Sequence, residues 1–361
     1  MSEQLPPALQ PPAPDTPSQQ INDWLAWLDN HRLTPVAARV LAHDARVPAE
    51  ARAHLNAAYA QARAQWLLRK TALQHLLALA AQEPAQPVIL LKGAALTLTL
   101  YQNDPATRPM SDIDLLVAPE AIPEMLRRMR ASYRERGLST GDDVGYLHHF
   151  IFTDPDTGVQ LELHKTLPLL PDPSHLAWFL QQTESHKLQN NQLLTFTPEA
   201  QLLHLISHAI LEHGGEQGAL GIWLYDIDQL LRKWGENINW EQVLAQAQTL
   251  KWEAALYEAI RLAQQHFATP TPPALQPWMQ LPQEALSGYN TLRSMTATNR
   301  STSRTAFHIL RGLSWQQRRQ QLRYMLFPSR TYMQQRYPGL PWLLTYPYRW
   351  FDAARKLLKG A

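Results

Sequence analysis

In the segment Arg108-Pro109-Met110-Ser111-Asp112-Ile113-Asp114-Leu115-Leu116-Val117, two carboxylates stand two residues apart inside an apolar run. The pattern reads as a β-strand. Side chains at i and i+2 of a strand share a face, roughly 7 Å apart along it. That span suits a pair of divalent cations about 4 Å apart. Burying two like charges on one face is unfavourable unless a metal or a partner offsets them. Two readings are therefore open: metal chelation, or two solvated aspartates on an exposed edge.

Upstream, Pro87-Val88-Ile89-Leu90-Leu91 is a short apolar run of the buried-strand type. It ends in Lys92-Gly93-Ala94-Ala95-Leu96, which continues as a helix-like stretch to Tyr101. A strand, a small-residue turn and a helix together present backbone N–H groups to an anion. Glycine permits close backbone approach, and Lys92 adds positive charge. A tight turn alone would also account for the glycine.

A third carboxylate follows. His149 to Thr153 leads into Asp154-Pro155-Asp156-Thr157-Gly158, a turn signal, and then Val159-Gln160-Leu161-Glu162-Leu163-His164. Val159, Leu161 and Leu163 face one way; Gln160, Glu162 and His164 face the other. Glu162 is a candidate third acid beside the Asp112/Asp114 strand, or an ordinary solvent-facing strand residue.

Strand-Lys-Gly, helix, Asp-x-Asp and a hairpin with a further acid together resemble the nucleotidyltransferase superfamily that includes DNA polymerase beta. The segments Leu91 to Leu96, Tyr101, Arg108 with Asp112 to Val117, and Leu161 to His164 resemble a bacterial family of nucleotidyltransferase proteins more closely. Leu202-Leu203-His204-Leu205 with His208, Trp223 to Ile227, and Asn239-Trp240 fit it too. The resemblance spans about residues 70 to 350. Where the wider superfamily has Gly-Ser or Gly-Gly, this chain has Gly93-Ala94.

The resemblance implies an α/β nucleotidyltransferase-type core, a small mixed sheet with flanking helices, embedded in a mostly helical chain. It implies Mg²⁺ (or Mn²⁺) held by Asp112, Asp114 and Glu162, the three implied catalytic residues. Lys92, Gly93 and Ala94 would steady the phosphates of a nucleoside triphosphate such as ATP. Arg108, four residues before Asp112, could reach a phosphate or pair with Asp112. The acceptor could be a small molecule, a glycan-linked group or RNA; tRNA-targeting toxins share a similar layout. A catalytically weak nucleotide-binding or scaffolding module is the alternative class.

Composition bounds the rest. The 361 residues suffice for two or three domains, and the absence of cysteine excludes disulfides and thiolate metal sites. Residues 1–20 are rich in Pro, Gln and Ser and do not read as a signal peptide; the expectation is a disordered tail. No apolar run is long enough to span a membrane, and the expected compartment is the cytoplasm. Residues 21–84 read as a helical segment, 85–168 as the nucleotidyltransferase core, and 175–268 as a helical domain. Thr197-Pro198-Glu199 marks a helix start there. His204 and His208, at i and i+4, lack the Glu of a zincin motif and read as helix packing.

Residues 269–361 read as a linker followed by a basic, aromatic region. From Ser301 onward there are eleven Arg or Lys, eleven aromatics and one acid, Asp352. The remainder is acidic, with 22 basic against 30 acidic residues. The interleaving suits RNA or single-stranded nucleic acid, an anionic membrane surface, or packing on the acidic body.

Overall fold

The computed structural model describes residues 5–13, 16–136, 149–170, 172–188, 191–296, 315, 319, 322–323, 326–328 and 330–359. Seven strands form one mixed sheet: β1 (Ile89–Leu90), β2 (Asp112–Leu116), β3 (Arg134–Arg136), β4 (His149–Thr153), β5 (Gln160–His164), β6 (Thr183–Leu188) and β7 (Asn191–Phe196). Their order is β3-β4-β5-β2-β1-β7-β6. β2 runs parallel to β5 and antiparallel to β1.

The strand period of two divides the sheet's residues between two environments. Ile113, Leu115, Leu161, Leu163, Phe150 and Phe152 form one core with the C-terminal half of a long helix and with a shorter one. The long helix is α3 (Ala49–Ala80), preceded by α1 (Ser18–Asn30) and α2 (Thr34–Val40). Its Ala, Leu, Gln and Arg content favours helix, and it contributes Leu73, Leu76, Leu77 and Ala80. The shorter is α5 (Ile122–Ser132), with Met125 and Met129; α4 (Lys92–Thr99) lies between β1 and β2.

The residues alternating with that apolar set carry the polar groups. Asp112, Asp114, Gln160, Glu162 and His164 lie on the opposite face. That face meets the helical body. Its helices are α6 (Leu176–Gln181), α7 (Pro198–Ile206), α8 (Gly221–Trp234), α9 (Trp240–Leu250), α10 (Glu253–Phe267) and α11 (Tyr289–Thr296). They share a second core with α1 and α2. Between α7 and α8, Ser207–Glu212 is one π-helical turn.

The β4–β5 turn forms as the sequence predicts. Gly158 takes a left-handed φ of 72°, and its N–H donates to the Asp154 carbonyl at 2.8 Å. An L side chain there would be strained.

Two expectations need correction. First, the helical domain expected over 175–268 contains a β-hairpin after α6: β6 and β7 extend the sheet through β1. β6 is an edge strand, Thr-Glu-Ser-His-Lys-Leu, whose polar residues meet solvent. It therefore carries no apolar alternation to read. Second, the tail is partly structured. Pro7–Leu9 form a 3₁₀ turn against α10, and Leu9 is fully buried. One apolar side chain among prolines was too sparse a signal. The helix start expected at Thr197-Pro198-Glu199 is present, with Thr197 as the N-cap of α7 and Pro198 its first residue, although the Thr197 side chain makes no capping hydrogen bond.

In the C-terminal region, α12 (Arg330–Arg336) packs against α13 (Trp342–Lys359). Trp342, Leu343, Leu344, Trp350 and Phe351 remain exposed. Tyr324 and most of 301–329 lie outside the described residues. Among the described residues, no helix is long and apolar enough to cross a membrane.

Candidate active site

The parallel register sets Asp112 opposite Gln160 and Asp114 opposite Glu162. Adjacent strands lie about 4.8 Å apart, so Glu162 is the lateral neighbour of Asp114. The three acids share one face, and Asp112 feels the charges of the other two. Asp112 is pushed up to about 6, first by burial and then by the charges of Asp114 and Glu162. A carboxylate held there is one whose ionisation lacks a sufficient counter-charge.

Asp114 has the opposite fate. Burial would raise its carboxyl, but the Lys92 charge and a His164 hydrogen bond outweigh burial and hold it well below the usual range. Lys92 Nζ donates to Asp114 Oδ1 at 2.8 Å. His164 Nε2 lies 2.8 Å from the same oxygen. Burial disfavours the Lys92 ammonium, yet Asp114 keeps it charged and its pKa raised.

Lys92 reaches Asp114 from a strained start. Its φ is 47°, in the left-handed region, which costs a residue with a Cβ about 1–3 kcal/mol. The Leu91 N–H is fixed by the Asp114 carbonyl at 3.0 Å, so the Lys92 turn leaves β1 directly beside β2. Gly93 has a packing reason. A Cβ there would stand 3.1 Å from Met110 Cβ, so glycine lets the segment leading into β2 approach α4. The first intrahelical bond joins the Ala95 N–H to the Leu91 carbonyl at 3.3 Å. The N–H groups of Gly93 and Ala94 precede that bond at the helix N-terminus.

Arg108 goes elsewhere than expected. It is buried, and its Nη2 lies 2.7 Å from Asp226 Oδ2 on α8. Its Nε also donates to Asp226, and its Nη1 donates to the Pro109 carbonyl at 2.7 Å. Tyr101 donates to Asp226 as well, at 2.8 Å. The Arg108 guanidinium therefore pairs with Asp226, not Asp112, and clamps the β2 approach to the helical body. The sequence could not reveal this, because Asp226 is 118 residues away.

A different arginine stands near Asp112. Arg69 on α3 lines a cleft with Trp66, Pro105, Pro109 and Met110. Burial lowers its pKa, while the Asp112 charge acts in the other direction. It forms no ion pair among the described residues, and its Nε is buried without a partner there. On the sequence it looks like any other arginine in an Ala/Arg-rich helix.

Two histidines complete the acid face. His149 is the cross-strand partner of His164, with ring centroids 5.2 Å apart. His149 Nε2 lies 3.9 Å from Glu162 Oε2, and His164 Nε2 lies 3.6 Å from it. Gln160 donates to Glu162 Oε1 at 2.8 Å. The signal for His164 was its shared strand parity with Glu162; His149 needed the β4–β5 register.

The helical body closes this side. His204 is buried on α7, and burial pushes its imidazole down to about 3. Among the described residues neither ring nitrogen has a hydrogen-bond partner, and the ring meets Phe196 edge-on. That agrees with a packing role. His208 sits on the π-helical turn, 3.0 Å from Glu212 Oε2, and meets Trp223. Glu212 also feels the Lys92 charge.

Residues 17–268 match a family described as an uncharacterised nucleotidyltransferase. The match takes in more than half of the chain, and the chain belongs to that family. Membership supports nucleotidyl transfer as the general activity and a nucleoside triphosphate as the donor class. No curated protein matches the chain. Among solved structures, the chain is similar to an antigenic nucleotidyltransferase-like protein from Paracoccidioides brasiliensis, at 18% identity and a TM-score of 0.32, over 52% of this chain and 91% of that one.

Proposed function

We propose that the chain transfers a nucleoside monophosphate from a nucleoside triphosphate to a hydroxyl acceptor, with Asp112, Asp114 and Glu162 as the metal-binding acids. One observation carries the reading: three carboxylates adjoin on one sheet face, and one of them, Asp112, is pushed up to about 6 by burial and by the charges of the other two. That donor set fits a hard divalent cation such as Mg²⁺ or Mn²⁺. Bound there, the ion would neutralise phosphate charge and make the attacking hydroxyl more acidic.

The chain's own residues do the rest. Asp112 and Asp114 fix the charge at the end of the Lys92 turn. Glu162 would accept the acceptor's proton. The Gly93 and Ala94 N–H groups and the Arg69 guanidinium are the donors suited to phosphate oxygens. Arg108 and Asp226 hold the approach to β2 in place, and Arg108 leaves the nucleotide-binding set. The acceptor belongs to the small-molecule, glycan-linked or RNA classes, with the basic C-terminal region suited to the last.

A second reading has its own support. Asp114 Oδ1 already accepts from Lys92 and His164, an arrangement that would suit a module holding nucleotide without turnover. The deciding experiment offers each of the four α-³²P-labelled triphosphates with Mg²⁺ or Mn²⁺ to RNA, protein and small-molecule extract. Label appearing in an acceptor supports the enzyme. Nucleotide binding without label in any acceptor class supports the module.

Arg69 gives a test that leaves the fold intact, since no ion pair is broken. Arg69→Gln is expected to weaken nucleotide binding by about tenfold or more, as a charge-assisted hydrogen bond contributes roughly 1.5–3 kcal/mol. Calorimetric titration with a non-hydrolysable triphosphate checks it. Unchanged affinity would remove Arg69 from the site. Lys92→Ala is a poorer probe, because it also strands the buried Asp114 charge.

A further inference from the structure

The Glu162 side of the acid face carries ligands that a magnesium site does not need. His149 and Glu162 stand on adjacent antiparallel strands, and His164 follows two residues after Glu162 on the same face. One ligand atom from each of the three lies within 4.8 Å of the others. The separations from Glu162 Oε2 are 3.9 Å to His149 Nε2 and 3.6 Å to His164 Nε2. Asp114 Oδ1 stands 2.8 Å from His164 Nε2. An ion about 2.1 Å from each ligand atom would set neighbouring ligands about 3–3.5 Å apart. The 3.6 and 3.9 Å separations need contraction by a few tenths of an ångström to about 1 Å, and the 2.8 Å Asp114–His164 separation would widen slightly as the ion enters.

The donor chemistry selects the ion. Mg²⁺ takes oxygen ligands and keeps its waters. Imidazole suits zinc, iron, nickel, cobalt and copper, and two imidazoles with one or two carboxylates are a common set for divalent transition ions. The site is also positioned for rigidity. All four residues come from paired strands rather than loops, and His164 and Asp114 are buried.

We infer that His149, Glu162 and His164, with Asp114 beside them, form a binding site for a divalent first-row transition-metal ion, distinct in chemistry from the all-oxygen pair Asp112/Asp114. It deepens the functional reading above by assigning the ion at the Glu162 side of the same face. Its binding is nevertheless measurable without turnover. The ion would replace the hydrogen shared between His164 Nε2 and Asp114 Oδ1 and keep both residues engaged.

The test uses the full chain, untagged and stripped of metal. Cu²⁺ electron paramagnetic resonance on the wild type should show nitrogen hyperfine structure from two imidazoles. Co²⁺ titration should give visible d–d bands that a hundredfold excess of Mg²⁺ does not remove. His149→Ala is expected to weaken this Co²⁺ class by tenfold or more, with the melting temperature recorded to verify folding. His208→Ala should leave it unchanged, because His208, Glu212 and His213 form a separate cluster. Displacement by equimolar Mg²⁺, a Cu²⁺ spectrum without nitrogen, or loss on His208→Ala alone would overturn the inference. Nitrogen-ligated Co²⁺ with no nucleotidyl transfer under any ion would support it while sinking the functional proposal. Transfer with Mg²⁺ and no nitrogen-bound ion would do the reverse.

Discussion

Replacing Asp112 or Asp114 by Asn is expected to abolish nucleotidyl transfer in both cases, by at least about a hundredfold, yet to move stability in opposite directions. The two aspartates look equivalent in the sequence. The structure separates them. Asp112 carries a carboxyl pushed up to about 6 against an ordinary value of 3.8. Between those values the folded state holds more protons than the unfolded state, so stability falls as pH rises. Above about 6 the penalty is fully present, about 2–3 kcal/mol at most. Asp112→Asn removes it. The metal-free variant should therefore melt higher than wild type at pH 8 and equal to it near pH 3.5. Asp114 is held low, by contrast, so its stabilising contribution is present above 3.8 and lost on acidification. Asp114→Asn leaves buried Lys92 without its counter-charge and should cost about 3 kcal/mol or more. Thermal melts of both variants at the two pH values, without divalent ions, check the pair. An Asp112→Asn protein no more stable than wild type at pH 8 would refute the charge account of this face. Transfer surviving both substitutions would remove the two aspartates from catalysis.

The parts that were legible in the sequence share a physical cause. β2, β5 and the turn between β4 and β5 could be read because an apolar core on one face and polar groups on the other impose a period of two on their residues. Gly158 and the prolines punctuate them. α3 could be read because its composition favours helix throughout. β6 could not, since an edge strand facing water has no burial to write into its sequence. Leu9 shows the converse: one buried side chain is no pattern at all. Within the candidate site, Asp112, Asp114, Glu162 and Lys92 could be picked out because each sits in a short strand-and-turn pattern of its own. Their partners could not. His149 depends on strand register, Arg69 on where a long helix crosses the sheet, and Arg108 on an acid in a distant helix. The electrostatic asymmetry of the two aspartates was hidden for the same reason, because it is set by Lys92 and His164 from neighbouring elements.

Breaking the Arg108–Asp226 pair should give the largest loss of stability in the molecule short of a core truncation. Arg108 is 4% exposed and Asp226 is fully buried. Burial alone would raise the Asp226 carboxyl, and it does so despite the opposing Arg108 charge. Removing one partner strands a buried charge, which costs about 3–5 kcal/mol. Arg108→Met and Asp226→Leu are each expected to fall in that range by urea denaturation. The double substitution should recover most of the loss, since replacing both members of a buried pair by apolar groups is often close to neutral. Tyr101 limits the recovery, because its hydroxyl also bonds to Asp226. Activity should not recover with stability. Arg108 fixes the Pro109 carbonyl three residues before Asp112, so an apolar pair would hold the core but leave β2's approach free to shift. Misplacing a catalytic group by about 1 Å can cost a hundredfold in rate. A double variant that folds with near wild-type stability yet transfers nucleotide far more slowly would identify Arg108 as a positioning residue. Single variants destabilised by less than about 1 kcal/mol would show that the pair is solvated in solution. Full activity in the stable double variant would confine Arg108 to the core.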